Sequence, residues 1–313
     1  MTSFVLRRIA QMAFTIVVAS FLIFAVSEWS PGSVARKMLG PYATAQQVEM
    51  LNQELGLDRP VLVRYVEWAG NVLQGDLGYS TLYKQPVAPI FVDRLQNTAM
   101  LAAIAFAIIV PVSILFGVLA GMRESSAADR TISVGAIICT SLPEFALGAF
   151  LSSIFVIWLG ILPGTSTMDP GSGWSIASQL VLPVMVMVLY DAGYVIRMVR
   201  ASMIEVMLAP YIRTAILKGL SFPDVIRKHA LRNALIAPFT VILLQINYLI
   251  TGVVVVEAVF AYPGFGRMML EAALNKDVAL IEAGALVAVA IAVTTQVAGD
   301  IGYMLLNPRI RIA

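Results

Sequence analysis

The chain has 313 residues, 59% of them hydrophobic and 13% charged, with a formal net charge of +2 and a mean hydropathy of +0.85. Soluble domains carry about 25% charged residues, so half that share over a whole chain excludes a disordered, fibrous or ordinary cytosolic protein and indicates an integral membrane protein. One Cys (Cys139) and one His (His229) exclude an intrachain disulfide and a Cys/His metal site; no Lys follows a Gly, so the phosphate-cradling lysine loop is missing, and the dispersed basic residues offer no nucleic-acid arm.

Taken in chain order, the first predicted span is 9–27, behind Arg7 and Arg8. Its apolar run exceeds a signal-peptide core, so it reads as an uncleaved anchor. Residues 30–96 are more polar and aromatic. Thr44 and Gln47 have capping-box spacing, Gly56 is a stop, Pro60 suits a helix start and Gly75 a stop. Between the last two, Leu62, Tyr65, Val66, Ala69, Val72 and Leu73 form a stripe that predicts a helix with a buried face. This segment reads as a small helical subdomain, either scaffolding the outer face or contacting a partner there.

Span two is 98–122, with Pro111 and a Gly117-x-x-x-Gly121 pair that permits close helix approach. After a polar loop, span three is 132–159. It is long, and its Pro143-Glu144 interruption predicts a tilt or kink. Span four is 176–196, span five 234–256 and span six 279–305; a loop with Tyr262-Pro263-Gly264 follows span five. Basic residues in short loops orient the chain. Arg7 and Arg8, Arg123 and Arg130, seven basic residues of 197–233, and Arg309 and Arg311 lie on one side, against Arg267 and Lys276 on the other. Both termini and the 197–233 block are therefore expected in the cytoplasm, with 30–96 outside.

The 197–233 block reads as structured. Span four is expected to continue through Arg200, Ser202 and Glu205 until Pro210 breaks it. A short helix then reaches Lys218, Gly219 stops it, and Ser221 with Asp224 caps a second helix. The result is a helical elbow at the membrane surface. Its apolar residues Ile212, Ala215, Ile216, Leu217 and Leu220 either pack on the chain's own helix ends or dock a cytosolic partner. Lys218, Arg227, Lys228 and Arg232 surround them with positive charge.

Polar groups inside spans are costly, about 2.5–3.5 kcal/mol for a charge at a helix centre. Glu144, Asp191 and Asp300, with Gln245, Asn247 and Gln296, are the candidates; they either line a pathway or hydrogen-bond between helices. Tyr190-Asp191 and Gly299-Asp300 lack the full intramembrane aspartyl protease pattern, since Val297 stands where a Gly is required, and His229 is too isolated to serve a nucleophile. No catalytic, cofactor-binding or metal-ligating residue is assigned.

Arg213-Thr214-Ala215-x-x-x-Gly219 resembles the E-A-A-x-x-x-G loop of permease subunits of ABC importers. Arg213 replaces that loop's Glu, and His229-Ala230-Leu231-Arg232-Asn233 replaces its I-x-L-P ending. Both departures resemble the peptide/nickel branch of the family. Leu55-Gly56-Leu57-Asp58-Arg59-Pro60 with Gly75-Asp76-Leu77-Gly78, then Asp93-Arg94-Leu95-x-x-Thr98, then Val256-Glu257-x-Val259-Phe260-x-x-Pro263-Gly264-x-Gly266-Arg267 resemble further stretches of that branch. The likeness covers essentially the whole chain and is greatest to the first permease of dipeptide/oligopeptide importers.

The resemblance implies an all-α, polytopic, six-span protein with the type I ABC importer permease fold: an anchor helix (1–29), an extracytoplasmic segment (30–96) and a permease core (97–313). It implies a bacterial cytoplasmic (inner) membrane location, a second related permease, two cytosolic ATPase subunits holding ATP and Mg, and an extracytoplasmic binding protein. The chain itself is then no enzyme. Tyr211, Ile212, Arg213, Thr214, Ala215, Ile216, Leu217, Lys218, Gly219 and Leu220 become the ATPase-coupling elbow. Tyr262, Pro263, Gly264, Phe265 and Arg267, in an outer loop, are candidates for docking at the outer face. Peptide import by alternating access is the implied function; a nickel or other small-solute importer is the alternative, and an ion-coupled secondary transporter the alternative of another class.

Overall fold

The computed structural model describes residues 2–28, 39–40, 42–54, 56, 58–251 and 253–306. These form helices α1 (Thr2–Glu28), α2 (Ala45–Glu54) and α3 (Val61–Leu73), a two-stranded antiparallel hairpin of β1 (Tyr79–Ser80) and β2 (Gln85–Pro86), then α4 (Val87–Gly121), α5 (Ala127–Ser141), α6 (Glu144–Ser152) and α7 (Ile176–Met207). The elbow follows as α8 (Pro210–Leu217) and α9, a helical run over 222–234 that is π-helical at Val225–Ala230. Then come α10 (Ile236–Thr251), α11 (Val254–Val259), α12 (Phe265–Asn275) and α13 (Val278–Leu306).

Among the described residues, five stretches are long and apolar enough to cross a membrane: Leu6–Glu28, Val87–Gly121, Ile176–Met207, Ile236–Val259 and Val278–Gly299. A sixth is reached when α5 and the helix after it count as one broken span. The expected kink there is a bend of 102°. Pro143 forces the residue before it out of the helical region, and Leu142 is extended at φ −87°, ψ 133°. At 1.5 Å per residue, the 35 residues of α4 and 32 of α7 extend about 50 Å, well beyond a hydrocarbon core of about 30 Å. Both helices are therefore longer than an untilted crossing needs, and α4 begins eleven residues before the expected span.

The chain divides into two compact units, Met1–Gln96 with Met268–Val297, and Asn97–Arg267 with Ala298–Ala313. In the first, the Thr44/Gln47 capping box forms as expected: the Thr44 N–H donates to Gln47 Oε1 at 2.9 Å and the Gln47 N–H to Thr44 Oγ1 at 3.3 Å. The α3 stripe is a correction. No residue of α3 is fully buried. Arg64, Tyr65 and Trp68 pack on α1, through an Arg64–Glu28 ion pair, a Ser20–Tyr65 hydroxyl contact of 2.8 Å and a tilted ring contact of Trp68 with Phe24, while Leu62, Val66 and Leu73 stay exposed. The hairpin is tied down by buried Asp277, which accepts from Ser80 Oγ at 2.6 Å and from the Leu82 N–H at 2.9 Å.

In the second unit α4 and α7 cross closely. A Cβ on Gly117 would lie 2.5 Å from Val199 Cβ, and one on Gly121 2.6 Å from Met203 Cβ, so only hydrogen fits at either position. Gly193 does the same for α5, where a Cβ would meet the Ala136 carbonyl oxygen at 2.7 Å. The resulting core includes Leu101, Ile109, Leu182, Met187, Leu249 and Phe260.

Candidate functional site

The elbow forms where α7 ends. Ala209, preceding Pro210, is extended, and Pro210 starts α8 at a position needing no N–H donor. At the far end Gly219 has φ +82°, its N–H donates to the Ile216 carbonyl at 2.9 Å, and the Leu220 N–H donates to the Ala215 carbonyl at 3.4 Å. This is the paired bonding of a Schellman stop, which needs a left-handed residue at this position. Nothing lies within 4 Å of a Cβ built there, so glycine is required by backbone conformation and not by space. Ser221 then caps α9: its oxygen accepts from the Asp224 N–H at 3.4 Å, and its hydroxyl donates to Asp224 Oδ2 at 2.7 Å. Ser221 first, then Lys228 at 3.0 Å, hold the Asp224 carboxyl below the usual carboxylate range.

The elbow's apolar residues divide between two roles. Ile212 and Ala215 are buried against Met203, Val225, Ile226, Ala230 and Ala234. Tyr211, Ile216, Leu217 and Leu220 point away; Leu217 is 80% exposed and Ile216 50%. Arg213, Thr214, Lys218 and Gly219 are exposed beside them. The Asn233 side-chain amide donates to the Tyr211 hydroxyl at 3.1 Å, and the Ser202 hydroxyl donates to the Ala234 carbonyl at 2.7 Å, joining α8 and α7 to α9. The base of the elbow is thus fixed while its tip carries an open apolar and basic surface.

Sequence reasoning missed what braces this end of α7. Arg200 donates from Nε and from Nη2, the latter at 2.8 Å, to the buried carboxylate of Asp129, which also accepts from the Ser125 N–H at 2.8 Å and the Ser133 hydroxyl at 3.2 Å. Asp129 and Arg200 lie 71 residues apart, and neither has a local pattern announcing the pair.

Within the spans, Asp191 and Gln245 come together: the Gln245 amide donates to Asp191 Oδ1 at 3.1 Å. Both line a cavity of about 270 Å³ together with Tyr190, Tyr194, Arg197 and Tyr248. Glu144 is adjacent, accepting from the Tyr248 hydroxyl. Asn247 is half-buried on α10 and does not line this cavity. The side chain of Asp300 lies outside those described.

The expected docking loop is a correction. Tyr262 and Phe265 are buried, Gly264 is enclosed, and Pro263 and Arg267 are half-buried, so the motif offers little surface. It builds an internal lock instead. The Tyr262 hydroxyl donates to the Asn97 carbonyl at 2.7 Å, the Phe265 N–H to Thr98 Oγ1 at 2.7 Å, and the Arg267 N–H to Glu257 Oε2 at 2.8 Å. Glu257 is fully buried and also accepts from Thr98. Burial, with the nearby Glu257 charge second, raises the Tyr262 phenol above its usual range. Loop composition suggested exposure; burial by α4 is a tertiary fact with no local signature.

Comparison with known proteins places this architecture. Residues 113–312 match the binding-protein-dependent transport system inner membrane component family, and residues 1–102 match the N-terminal membrane component of such systems. The chain belongs to this family: it is a multi-pass inner-membrane permease of the ABC importer class, and not an enzyme. It is 37% identical over 99% of both chains to a peptide transport system permease protein of Brucella abortus, and 33% identical over 99% of both to a glutathione transport system permease protein of Shigella flexneri. The fold is similar to that of the inward-facing MetNI methionine ABC transporter, at a TM-score of 0.56 and 18% identity over 70% of this chain and 96% of that one.

Proposed function

We propose that this chain imports short peptides by alternating access, as one of two related permeases above two cytosolic ATPase subunits that bind ATP and Mg, with an extracytoplasmic binding protein delivering substrate. Peptide is favoured over nickel or another solute because the relatives named above carry peptide and glutathione names. The excess of basic residues in the short loops on one side supports a reading with both termini and the elbow in the cytoplasm. In this reading 30–96 lies outside and Asp191, Gln245 and Glu144 border the path.

The observation that carries the coupling role is the division of the elbow into a buried base and an open tip. Ile212 and Ala215 lock α8 to α7 and α9, so a push on Ile216, Leu217 and Leu220 is transmitted to a spanning helix instead of being absorbed by a loose loop. ATP-driven closure of the ATPases then biases a two-state equilibrium of the permease. The test is Leu217→Glu and Gly219→Val in the reconstituted importer. Leu217 is exposed, so its variant folds normally. Gly219→Val costs about 1–2 kcal/mol for a left-handed residue and misdirects the tip. Both are expected to lower peptide uptake at least tenfold per ATP hydrolysed. Normal uptake with normal coupling in both variants would overturn the reading.

A further inference from the structure

The cavity beside Asp191 has two chemically opposite ends. Tyr190, Asp191, Tyr194 and Arg197 follow i, i+1, i+4, i+7 spacing and share one face of α7. Gln245 and Tyr248 of α10 close the other side. Asp191 is only 5% exposed, one of its oxygens accepts from Gln245, and the other takes no hydrogen bond from a described residue. Glu144, held by Tyr248, adds a second carboxyl to this end. Arg197 is exposed at the opposite end and makes no hydrogen bond or ion pair among the described residues. Arg197 follows Asp191 by six positions, about 9 Å along the helix axis.

A buried carboxylate without a cationic neighbour is costly. A ligand that supplies an ammonium at Asp191 and a carboxylate at Arg197 removes that cost and satisfies the guanidinium, which binds carboxylates through two parallel donors. At 3.3–3.6 Å per residue, an extended peptide of two or three residues separates its charged ends by about 7–10 Å. The tyrosine rings between the ends suit a peptide backbone, and their faces attract an ammonium. A volume of about 270 Å³ lies just under the usual range of about 300–1,000 Å³ for small-molecule sites, which admits a short peptide and not a long one.

We propose that this cavity is a recognition subsite for short zwitterionic peptides, with the free amino terminus at Asp191 and the free carboxyl terminus at Arg197. The assignment rests on the peptide-import reading and adds to it a requirement for both free ends, imposed by the permease itself.

The experiment measures peptide binding to the two permeases with their ATPases in nanodiscs, without the binding protein, so that its selectivity does not intrude. Saturation-transfer NMR suits millimolar affinities. The probes are free dialanine, N-acetyl-dialanine and dialanine amide. The proteins are wild type, Asp191→Asn and Arg197→Gln, the last a change at an exposed side chain that leaves the core untouched. Wild type is expected to bind free dialanine and to lose at least tenfold in affinity when either end is blocked. Asp191→Asn is expected to lose as much for the free peptide but nothing further for the N-acetyl form, and Arg197→Gln to behave likewise toward the amide. No binding to wild type, equal binding of free and blocked forms, or equal losses for all three probes in the variants would overturn the assignment. Uptake of peptides by the complete importer, measured in parallel, separates the two claims: uptake without this binding pattern removes the subsite alone, and no uptake of any peptide removes the peptide reading with it.

Discussion

Asp129 is the residue on which the membrane-surface end of α7 depends. Its carboxylate is buried, and its oxygens are occupied by a guanidinium, a backbone N–H and a hydroxyl. Removing one partner of such a pair strands the other, and the cost falls on whichever is more deeply buried. Arg200 keeps 29% of its side chain in solvent against 3% for Asp129. Arg200→Met is therefore expected to destabilise the protein by about 3 kcal/mol, and Asp129→Asn by clearly less, in thermal unfolding of the purified protein. The reverse order would show that the pair does not carry this load. Gly264 is the second case. A Cβ there would lie 2.1 Å from Glu257 Oε1, and the Glu257 carboxylate is itself pinned by Thr98 and the Arg267 N–H. Gly264→Ala is expected to reduce the yield of folded protein severely, while Gly70→Ala, at a helical position where no atom lies within 4 Å of the added Cβ, is expected to reduce it far less. Equal yields would contradict the lock. Neither feature was visible in the sequence, because each depends on burial against a residue far away in the chain, Arg200 for Asp129 and Thr98 for Glu257.

Helix ends and close helix contacts were more legible. Thr44 with Gln47, Ser221 with Asp224, and Gly219 each act locally, through bonds to backbone within a few residues, and each does what its spacing implied. Gly117 and Gly121 also announced their contact, because a pair of small residues one turn apart has few other uses in an apolar helix. Gly117→Leu is expected to separate α4 from α7 and to cost about 1–3 kcal/mol as an overpacking change, read as a lower unfolding temperature; Gly135→Leu, at a position with open space, is expected to leave it nearly unchanged. Less legible were elements whose geometry depends on neighbours. Pro143 marked an interruption but not a bend of 102°. The π-helical stretch Val225–Ala230 has no breaker residue within it, and its buried side chains Val225, Ile226 and Ala230 are placed by packing against α7 and α8. The stripe on α3 had helical spacing, yet spacing cannot say whether the facing surface is protein.

At the scale of the whole chain, composition and basic loops were enough to define a polytopic membrane protein, and motif order was enough to define its family. The elbow needed the structure, because only burial separates Ile212 and Ala215, which anchor it, from Leu217 and Ile216, which reach outward. A fixed base with an exposed apolar tip is the surface that the proposed contact with an ATPase subunit requires. The most direct measurement is therefore recovery of this chain, tagged, from its native membrane in mild detergent, with identification of what accompanies it. Recovery of a second permease and two ATPase subunits, with the ATPases lost when Leu217 is replaced by Glu, is the result expected. Recovery of the chain alone as a stable, monodisperse species would contradict the coupled-importer account and turn attention to an ion-driven pathway past Glu144 and Asp191.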